Sequence, residues 1–479
     1  MLPRLDDLNP VQSLYLEFIE ALKAQNFSGD LSTQYSTRTV LSTDNSIYQV
    51  LPQAIVYPKT KQDIQLVCSL SNQDNFHGIK LSPRGGGTGT NGQSLTDGIV
   101  VDLSRHMNNI IEINAEKGYA IVQTGTVKDQ LNKELKKEGL FFAPELSTSN
   151  RATIGGMINT DASGQGSVMY GKTRDHVLEL STVLLDGSVI DSKSIDETQL
   201  NILLSQDSRE SKIYNCVNSI QKEKSELIKA KFPPLNRCLT GYDLAHIRDE
   251  QNNFNLNNIL CGSEGTLGFI VEAKINVLPI PKFSALVNVC YDSFENSMRD
   301  AQSLMSFEPT SIETVDSKVL GLAKNDIIWH SVSSYFPQPQ GQTVEGVNLI
   351  EYTSDDLDEL EAKVKKITDY LNSEQGQPKK NIASQIVMGD VNVKKVWAMR
   401  KKAVGLLGNA KGRARPIPFV EDTAVPPENL ADFIMEFRKV LDDNNLAYGM
   451  FGHVDAGVLH VRPTIDMKDT KQAKLIRAI

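Results

Sequence analysis

The stretch Pro83-Arg84-Gly85-Gly86-Gly87-Thr88-Gly89-Thr90-Asn91-Gly92-Gln93-Ser94 decides how this chain is read. Five of its residues are glycine, with hydroxyl and amide side chains set between them. Glycine lacks a Cβ, so such a loop tolerates positive φ and lets its N–H groups close on an anion. The expected guest is a phosphate or pyrophosphate. Residues 87–92 also fit G-x-G-x-x-G, the dinucleotide fingerprint of a doubly wound sheet. That fingerprint requires a helix opening at the third glycine. Here Gln93–Gly98 leads straight into the β-rich run Ile99-Val100-Val101-Asp102-Leu103, with no room for a crossover helix.

A second pattern match fails for a similar reason. Gly166–Thr173 satisfies G-x-x-x-x-G-K-[ST], but it follows the polar run Asn159–Gly164 rather than a buried strand. It leads into Val177–Leu185, which Asp186-Gly187 closes like a hairpin. ATP hydrolysis is therefore not expected.

The formal net charge of −9 argues against nucleic acid, which asks for a basic surface stripe. No apolar run approaches the roughly 20 residues of a membrane span. The start, Met1-Leu2-Pro3-Arg4, lacks the apolar core of a secretory signal. Cys68, Cys216, Cys238, Cys261 and Cys290 are scattered singly, which argues against a disulfide framework or a metal cluster in this segment. A cytoplasmic location is expected, with peripheral attachment at the inner membrane left open.

Hydrophobic spacing predicts a helix over residues 11–22, a strand at Ala54–Tyr57 and a Thr60-capped helix to Leu70. Two further glycine-rich blocks follow, Ala152–Gly164 and Gly262–Gly268. The latter feeds a strand that stops at Pro279-Ile280-Pro281, read as the domain boundary. Beyond it, strands alternate with long helices: strands at 285–291, 311–315 and 347–352, helices at 293–305 and 355–371. That rhythm predicts an α+β fold with a ferredoxin-like layer. The expected division is an N-terminal helical extension (1–45), a first domain (46–280) and a second (281–479).

Three glycine blocks in this order resemble the vanillyl-alcohol-oxidase superfamily, with its PCMH-type FAD-binding domain. Tyr170-Gly171, Arg174-Asp175 and Val177 fit the same pattern. Trp397-x-x-Arg400, Glu421-Asp422-x-Ala424-Val425-Pro426 and Gly452–His460 resemble the FAD-linked oxidase C-terminal (cap) domain of D-lactate, glycolate and D-2-hydroxyglutarate dehydrogenases. Runs such as Phe142–Arg151 and Arg400–Gly405 are most similar to bacterial YdiJ-type D-2-hydroxyglutarate dehydrogenases. Those proteins continue well beyond this length, into a Glu-His pair and an iron–sulfur module. The resemblance implies an iron–sulfur cluster only in that further module, and little turnover by this chain alone.

The resemblance implies non-covalent FAD, since residues 83–94 contain no histidine to tether it. The implied FAD contacts are Arg84, Gly85, Gly86, Gly87, Thr88, Gly89, Thr90, Asn91, Pro144, Ser149, Thr153, Gly155, Gly156, Asn159, Ala162, Gly164, Gly262, Glu264, Gly265 and Ile270. It also implies oxidation of a D-2-hydroxy acid, D-2-hydroxyglutarate or D-lactate, with hydride passing to the flavin and electrons leaving to a protein or quinone acceptor. The alternative is a non-catalytic flavin-binding fragment, or a subunit completed by a separate iron–sulfur chain. Homo-oligomerisation is left open.

A guanidinium fork suits a carboxylate, and Arg400 fills the family's substrate-arginine position; Arg413 and Arg415 are candidates for a second carboxylate. His453 and His460 are the implied catalytic pair and the ligands of a divalent metal such as zinc. Their odd spacing would send them to opposite faces of one straight strand. Asp455-Ala456-Gly457 between them supplies a turn that would bring both rings to one site. Arg462 stands where related dehydrogenases often carry Asn.

Overall fold

The computed structural model describes residues 9–235, 237, 241–373, 381–407, 412–420 and 423–479, without the side chains of 404 and 407. Cys238 and the pair Glu421-Asp422 lie outside the described residues. Two compact units are seen. The first is Met1–Ser163, Gly171–Pro234 and Leu239–Ile280; the second is Gly164–Tyr170, Leu235–Cys238 and Pro281–Ile479. The main division falls inside Pro279-Ile280-Pro281. Residues 1–45 do not stand apart. The helix Ser13–Ala24 buries Tyr15, Phe18, Ile19 and Leu22 in the same core as Val56, Ile64 and Val101, and Asp30–Ser32 pairs with the strand at 54–57.

In the first unit, Ala54–Tyr57, Ile99–Asp102 and Leu81–Arg84 lie parallel, and Asp30–Ser32 flanks them antiparallel. Parallel neighbours normally need a helical crossover. Between residues 84 and 99 the crossover is the glycine loop itself. A second sheet of six antiparallel strands includes the hairpin Val177–Val183 and Val189–Ile195, with Gly187 at φ 83° in its turn. The helix Lys61–Ser71 starts at a full capping box, in which Thr60 accepts from the Asp63 amide and Asp63 accepts from the Thr60 amide.

The second unit opens with β1 (Phe283–Tyr291), α1 (Phe294–Met305), β2 (Ser311–Asp316), β3 (Gly346–Ser354), α2 (Leu357–Asn372) and β4 (Asn381–Met388). The strand order is β4-β1-β3-β2, all antiparallel, which is the ferredoxin-like arrangement. Next come α3 (Asp390–Leu407), α4 (Leu430–Asp443), β5 (Tyr448–His453) and β6 (Val458–Ile465), and the last two extend the sheet beyond β2. Arg415–Pro416 and Thr423–Ala424 pair with β6.

Alternation along the strands gives the sheet two unlike faces. Val287, Ile312 and Ile350 pack with residues of α1, α2 and α4, such as Leu304, Leu360 and Ile434. Leu286, Val315, Leu349 and Phe451 pack with Val396 and Met399 of α3. Among the described residues no helix is long and apolar enough to cross a membrane.

Asp316, at the end of β2, ties three elements together. Its carboxylate caps the helix Ser317–Lys324 through the Val319 amide at 2.8 Å and accepts from the Met450 amide of β5 at 2.7 Å. Burial raises its pKa from 3.8 to about 6, so the folded state binds more protons than the unfolded chain between those values. The contribution of this group to stability therefore falls as pH rises from about 4 to about 6. Asp316→Asn should remove that slope. Urea unfolding at several pH values should show wild type losing roughly 1–3 kcal/mol relative to the variant across the window; parallel curves would refute the assignment.

Candidate flavin cradle and carboxylate–imidazole site

In the first unit the three glycine blocks converge. A Cβ built on Gly85 would sit 2.2 Å from Thr153 Oγ1, and one on Gly86 would sit 2.2 Å from the Arg151 carbonyl oxygen. Gly265, at φ 74°, lies against Pro83, where a Cβ would approach a ring carbon to 2.4 Å. The blocks are also stitched by hydrogen bonds. Gly262 N donates to the Ile158 carbonyl (2.8 Å), Glu264 N to the Asn159 carbonyl (2.9 Å) and Gly265 N to Asn159 Oδ1 (3.0 Å). Only glycine fits where the main chains meet this closely, so all three blocks are needed to build one cradle.

Most of the residues implied for FAD sit on or beside this cradle. Thr153 caps the helix Ile154–Thr160 through the Gly156 amide, and Asn159 Nδ2 donates to the Gly155 carbonyl at 2.8 Å. Thr88, Gly89, Thr90 and Asn91 form the partly exposed rim, where the Asn91 amide donates to Gln93 Oε1. Pro144 and Ser149 are buried in the segment leading into the second block, and the Ala162 carbonyl accepts from Thr173. The Ile270 side chain lies in the core, and its carbonyl accepts from Thr124 Oγ1.

The Arg84 guanidinium donates to the Thr43 carbonyl at 2.8 Å and to Ser94 Oγ, so it fastens the loop to the N-terminal segment. Gly164 falls in the second unit. Glu264, a non-glycine residue at φ 55°, holds a buried carboxyl oxygen with no hydrogen-bond partner among the described residues, and burial raises its pKa to about 7. A cradle lined by main chain that a Cβ would fill, with an unsatisfied polar oxygen beside it, suits the pyrophosphate and polar edges of FAD.

Behind the second block, Arg174 explains the Arg-Asp motif. Its Nε donates to Asp161 at 2.6 Å, and its guanidinium also meets Asp243. Asp161, at φ 46°, ends the helix Ile154–Thr160. The buried ion pair holds this uncommon left-handed turn in place.

In the second unit, β5 and β6 form the hairpin foreseen between the histidines. His460 lies opposite Phe451, two residues before His453, so both imidazoles emerge from one face. Their Nε2 atoms are 3.4 Å apart. With zinc–nitrogen bonds of about 2.0–2.1 Å, the edge of a tetrahedral site measures about 3.3–3.4 Å. The pair therefore suits two positions around one divalent ion. Among the described residues no group of three or more His, Cys, Asp or Glu forms a metal-holding set.

Glu313, absent from the sequence reading, organises this face. It lies on β2 opposite His453 and is fully buried. One carboxylate oxygen meets His453 Nδ1 and the other meets Arg400 Nη2. Burial alone would raise its pKa; the Arg400 guanidinium and His453 outweigh that and hold it below the usual value. Burial instead drives His453 down to about 4, against the pull of Glu313. The working state is thus an ionised Glu313, a cationic Arg400 and a neutral His453.

Arg400 is 7% exposed, unlike its exposed neighbours Lys401 and Lys402, so it is no surface salt bridge. Its guanidinium stands 5.2 Å from the Phe451 ring centroid, and the His460 ring lies 5.0 Å from the same ring, centroid to centroid. Arg400 Nε is buried with no hydrogen-bond partner among the described residues. One turn earlier on α3, Trp397 Nε1 donates to Glu351 Oε1 at 3.1 Å, and Gln165 Nε2 donates to the same carboxylate at 2.9 Å. Trp397-x-x-Arg400 thus reads as two donors spaced to meet two acids on adjacent strands, the partly buried Glu351 and the fully buried Glu313. Glu313 lies in a strand of mostly polar residues, Ser311–Asp316, that is buried throughout, so its burial was not marked by an apolar run.

Arg413 and Arg415 are not brought to the histidine pair. Arg413 Nε bridges Asp466 at 3.0 Å, and Arg415 is exposed on a strand whose register partner, Ile465, lies in the core of the opposite sheet face. Arg462 follows His460 on the same face and is largely buried, with its pKa lowered to about 10 by desolvation.

Comparison with known proteins agrees with both halves. Residues 52–193 match a family described as FAD binding domain, and 280–479 match one described as FAD linked oxidases, C-terminal domain. A D-2-hydroxyglutarate dehydrogenase of Pseudomonas putida is 60% identical over 465 residues, covering 97% of this chain and 46% of that protein. One of Escherichia coli is 51% identical, covering 100% of this chain and 47% of that protein. The chain thus spans about half the length of these curated relatives. Among solved structures, an alkyldihydroxyacetonephosphate synthase (TM-score 0.68, 18% identity) covers 100% of this chain with 82% of its own. A substrate-bound p-cresol methylhydroxylase (0.67, 13%) covers 98% with 87% of its own, and at such identity these two show the fold alone. The chain thus carries an FAD binding domain at residues 52–193 and, at 280–479, the C-terminal domain of FAD linked oxidases.

Proposed function

We propose that this chain is the flavin and substrate portion of an FAD-dependent dehydrogenase of D-2-hydroxy acids, with D-2-hydroxyglutarate as substrate. The observation that carries the reading is the second unit's polar face. A buried guanidinium with an unpartnered Nε shares the Glu313 carboxylate with His453, whose Nε2 faces that of His460. A carboxylate on Arg400 would satisfy that donor, whose desolvation otherwise costs about 1–3 kcal/mol. A hydroxyl one carbon away would then be within reach of the histidine pair.

His453 stays neutral at physiological pH, so it offers a lone pair rather than a proton. A divalent ion held by His453 and His460 would supply Lewis-acid polarisation of the hydroxyl. FAD in the cradle supplies the two-electron acceptor. The relatives that are 50–60% identical carry the name D-2-hydroxyglutarate dehydrogenase, which favours this substrate over D-lactate. The electrons then pass to an acceptor protein or quinone. An iron–sulfur carrier for that step belongs to the part of such proteins not spanned here.

Arg400→Ala is a poor test. It leaves Glu313 buried with one partner lost, a change that destabilises by about 3–5 kcal/mol. Arg400→Lys keeps the charge for Glu313 but loses the fork. It should bind D-2-hydroxyglutarate roughly ten- to a hundredfold more weakly, the equivalent of one charge-assisted contact. Calorimetric titration of wild type and variant measures this, and equal affinities would refute the role.

The flavin is held without a covalent bond, so acid precipitation should release the yellow chromophore into the supernatant. Gly86→Ala should push the loop off the Arg151 carbonyl. Overpacking of about 1–3 kcal/mol translates into roughly ten- to a hundredfold weaker FAD retention. Full 450 nm absorbance per mole of the variant after dialysis would count against the cradle.

A further inference from the structure

We propose that Glu313 is a positioning residue that sets the tautomer of His453 and the aim of Arg400 with one carboxylate. This rests on the reading of Arg400 and the histidine pair as the substrate face.

Glu313 is an acceptor on both sides, because an ionised carboxylate has no proton to give. Arg400 fills one oxygen with a cationic donor. The partner of the other oxygen, His453 Nδ1, must therefore carry the hydrogen. A neutral imidazole has one N–H, so Nε2 is left bare, and it points toward His460 Nε2 at 3.4 Å. Left to itself in water, a histidine side chain favours the opposite tautomer, with the hydrogen on Nε2. That form would place a proton in the space between the two rings. The hydrogen bond made by one ring nitrogen decides what the other can do, and a carboxylate behind a ligating imidazole also raises its basicity.

The two duties are coupled by geometry. Glu313 and His453 are direct cross-strand partners, so the imidazole cannot drift along the sheet relative to the carboxylate. Arg400 comes from α3, anchored one turn away by the Trp397–Glu351 contact. Moving either strand or helix would break one of the two contacts and leave a buried charge uncompensated. The charged and titratable groups facing Glu313 include Arg400 from α3, His453 from β5, Asp455 from the turn that follows β5 and, at longer range, His460 from β6. Glu351 on the neighbouring strand adds like charge, which Trp397, Gln165 and Ser311 offset by hydrogen bonds.

Glu313→Gln keeps the shape and changes the logic. Its amide oxygen will face the Arg400 cation, which turns the NH2 group toward His453 Nδ1. Nδ1 must then accept, and the hydrogen moves to Nε2. The test uses long-range 1H–15N correlation of the histidine rings in chain labelled with 15N-histidine, with His453 assigned from a His453→Gln spectrum. Wild type should show a protonated Nδ1 and a bare Nε2; Glu313→Gln should show the reverse. Titration with Co2+ alone, followed by its visible absorption, should give roughly 10–100-fold weaker binding in the variant. A purely structural role would alter folding or flavin content without exchanging the tautomer.

The wild-type spectrum needs no variant to be decisive: a protonated Nε2 on His453 overturns the proposal. So does a folded Glu313→Gln chain with an unchanged tautomer. Wild type that binds no Co2+ yet carries the Nδ1–H tautomer would support the positioning role and overturn the metal reading of the histidine pair.

Discussion

A carboxylate buried without a counter-charge cannot stay ionised, and Glu313 is fully buried on the central sheet of the second unit. Its environment must therefore supply a cation and a second donor. Arg400 arrives from α3 and His453 from β5, so one side chain defines where a helix and a hairpin sit. Replacing Glu313 and its partners together by well-packed apolar residues would cost little in stability by general precedent, whereas removing Glu313 alone would leave Arg400 buried and uncompensated. What the ion pair supplies is orientation, because a guanidinium and an imidazole are held at fixed places on one face.

The polar face and the apolar face of this sheet illustrate a division of labour. Val287, Ile312 and Ile350 need only burial, and residues of similar size would serve. Glu351 and Glu313 need named partners. The contacts from Trp397 and Arg400 are spaced by a helical turn, matching acids spaced by adjacent strands. The buried Asp455 adds a third acid nearby; its side chain accepts from the Ile312 amide, and burial raises its pKa to about 7.

Much of this was legible in the sequence wherever the determinant is local. The missing crossover helix after Gly92 and the capping residue Thr60 both act within a few positions. The turn between His453 and His460 was readable for the same reason, since Gly457 at φ 68° marks it. What the sequence hid depends on pairing between distant positions. Glu313 meets His453 only because β2 lies beside β5, 140 residues away. Nor does the sequence show that carbonyl groups some forty residues earlier accept from the guanidinium of Arg84. The apolar spacing of the helix near the N-terminus was readable, but its burial partners lie in elements that follow it.

The loop that replaces a crossover between the strands at 81–84 and 99–102 carries a thermodynamic consequence. Chain entropy is lost most heavily at glycine, and this connection holds five of them in its first eight residues after Arg84. Its ordering is therefore a cost that a bound ligand offsets by mass action, as RT ln(1 + [L]/Kd). In a cell short of flavin, newly made chains would dwell longer with this connection open and its neighbouring parallel strands unzipped. Supply of the vitamin precursor would then govern not only how many molecules are active but how many survive proteolytic surveillance.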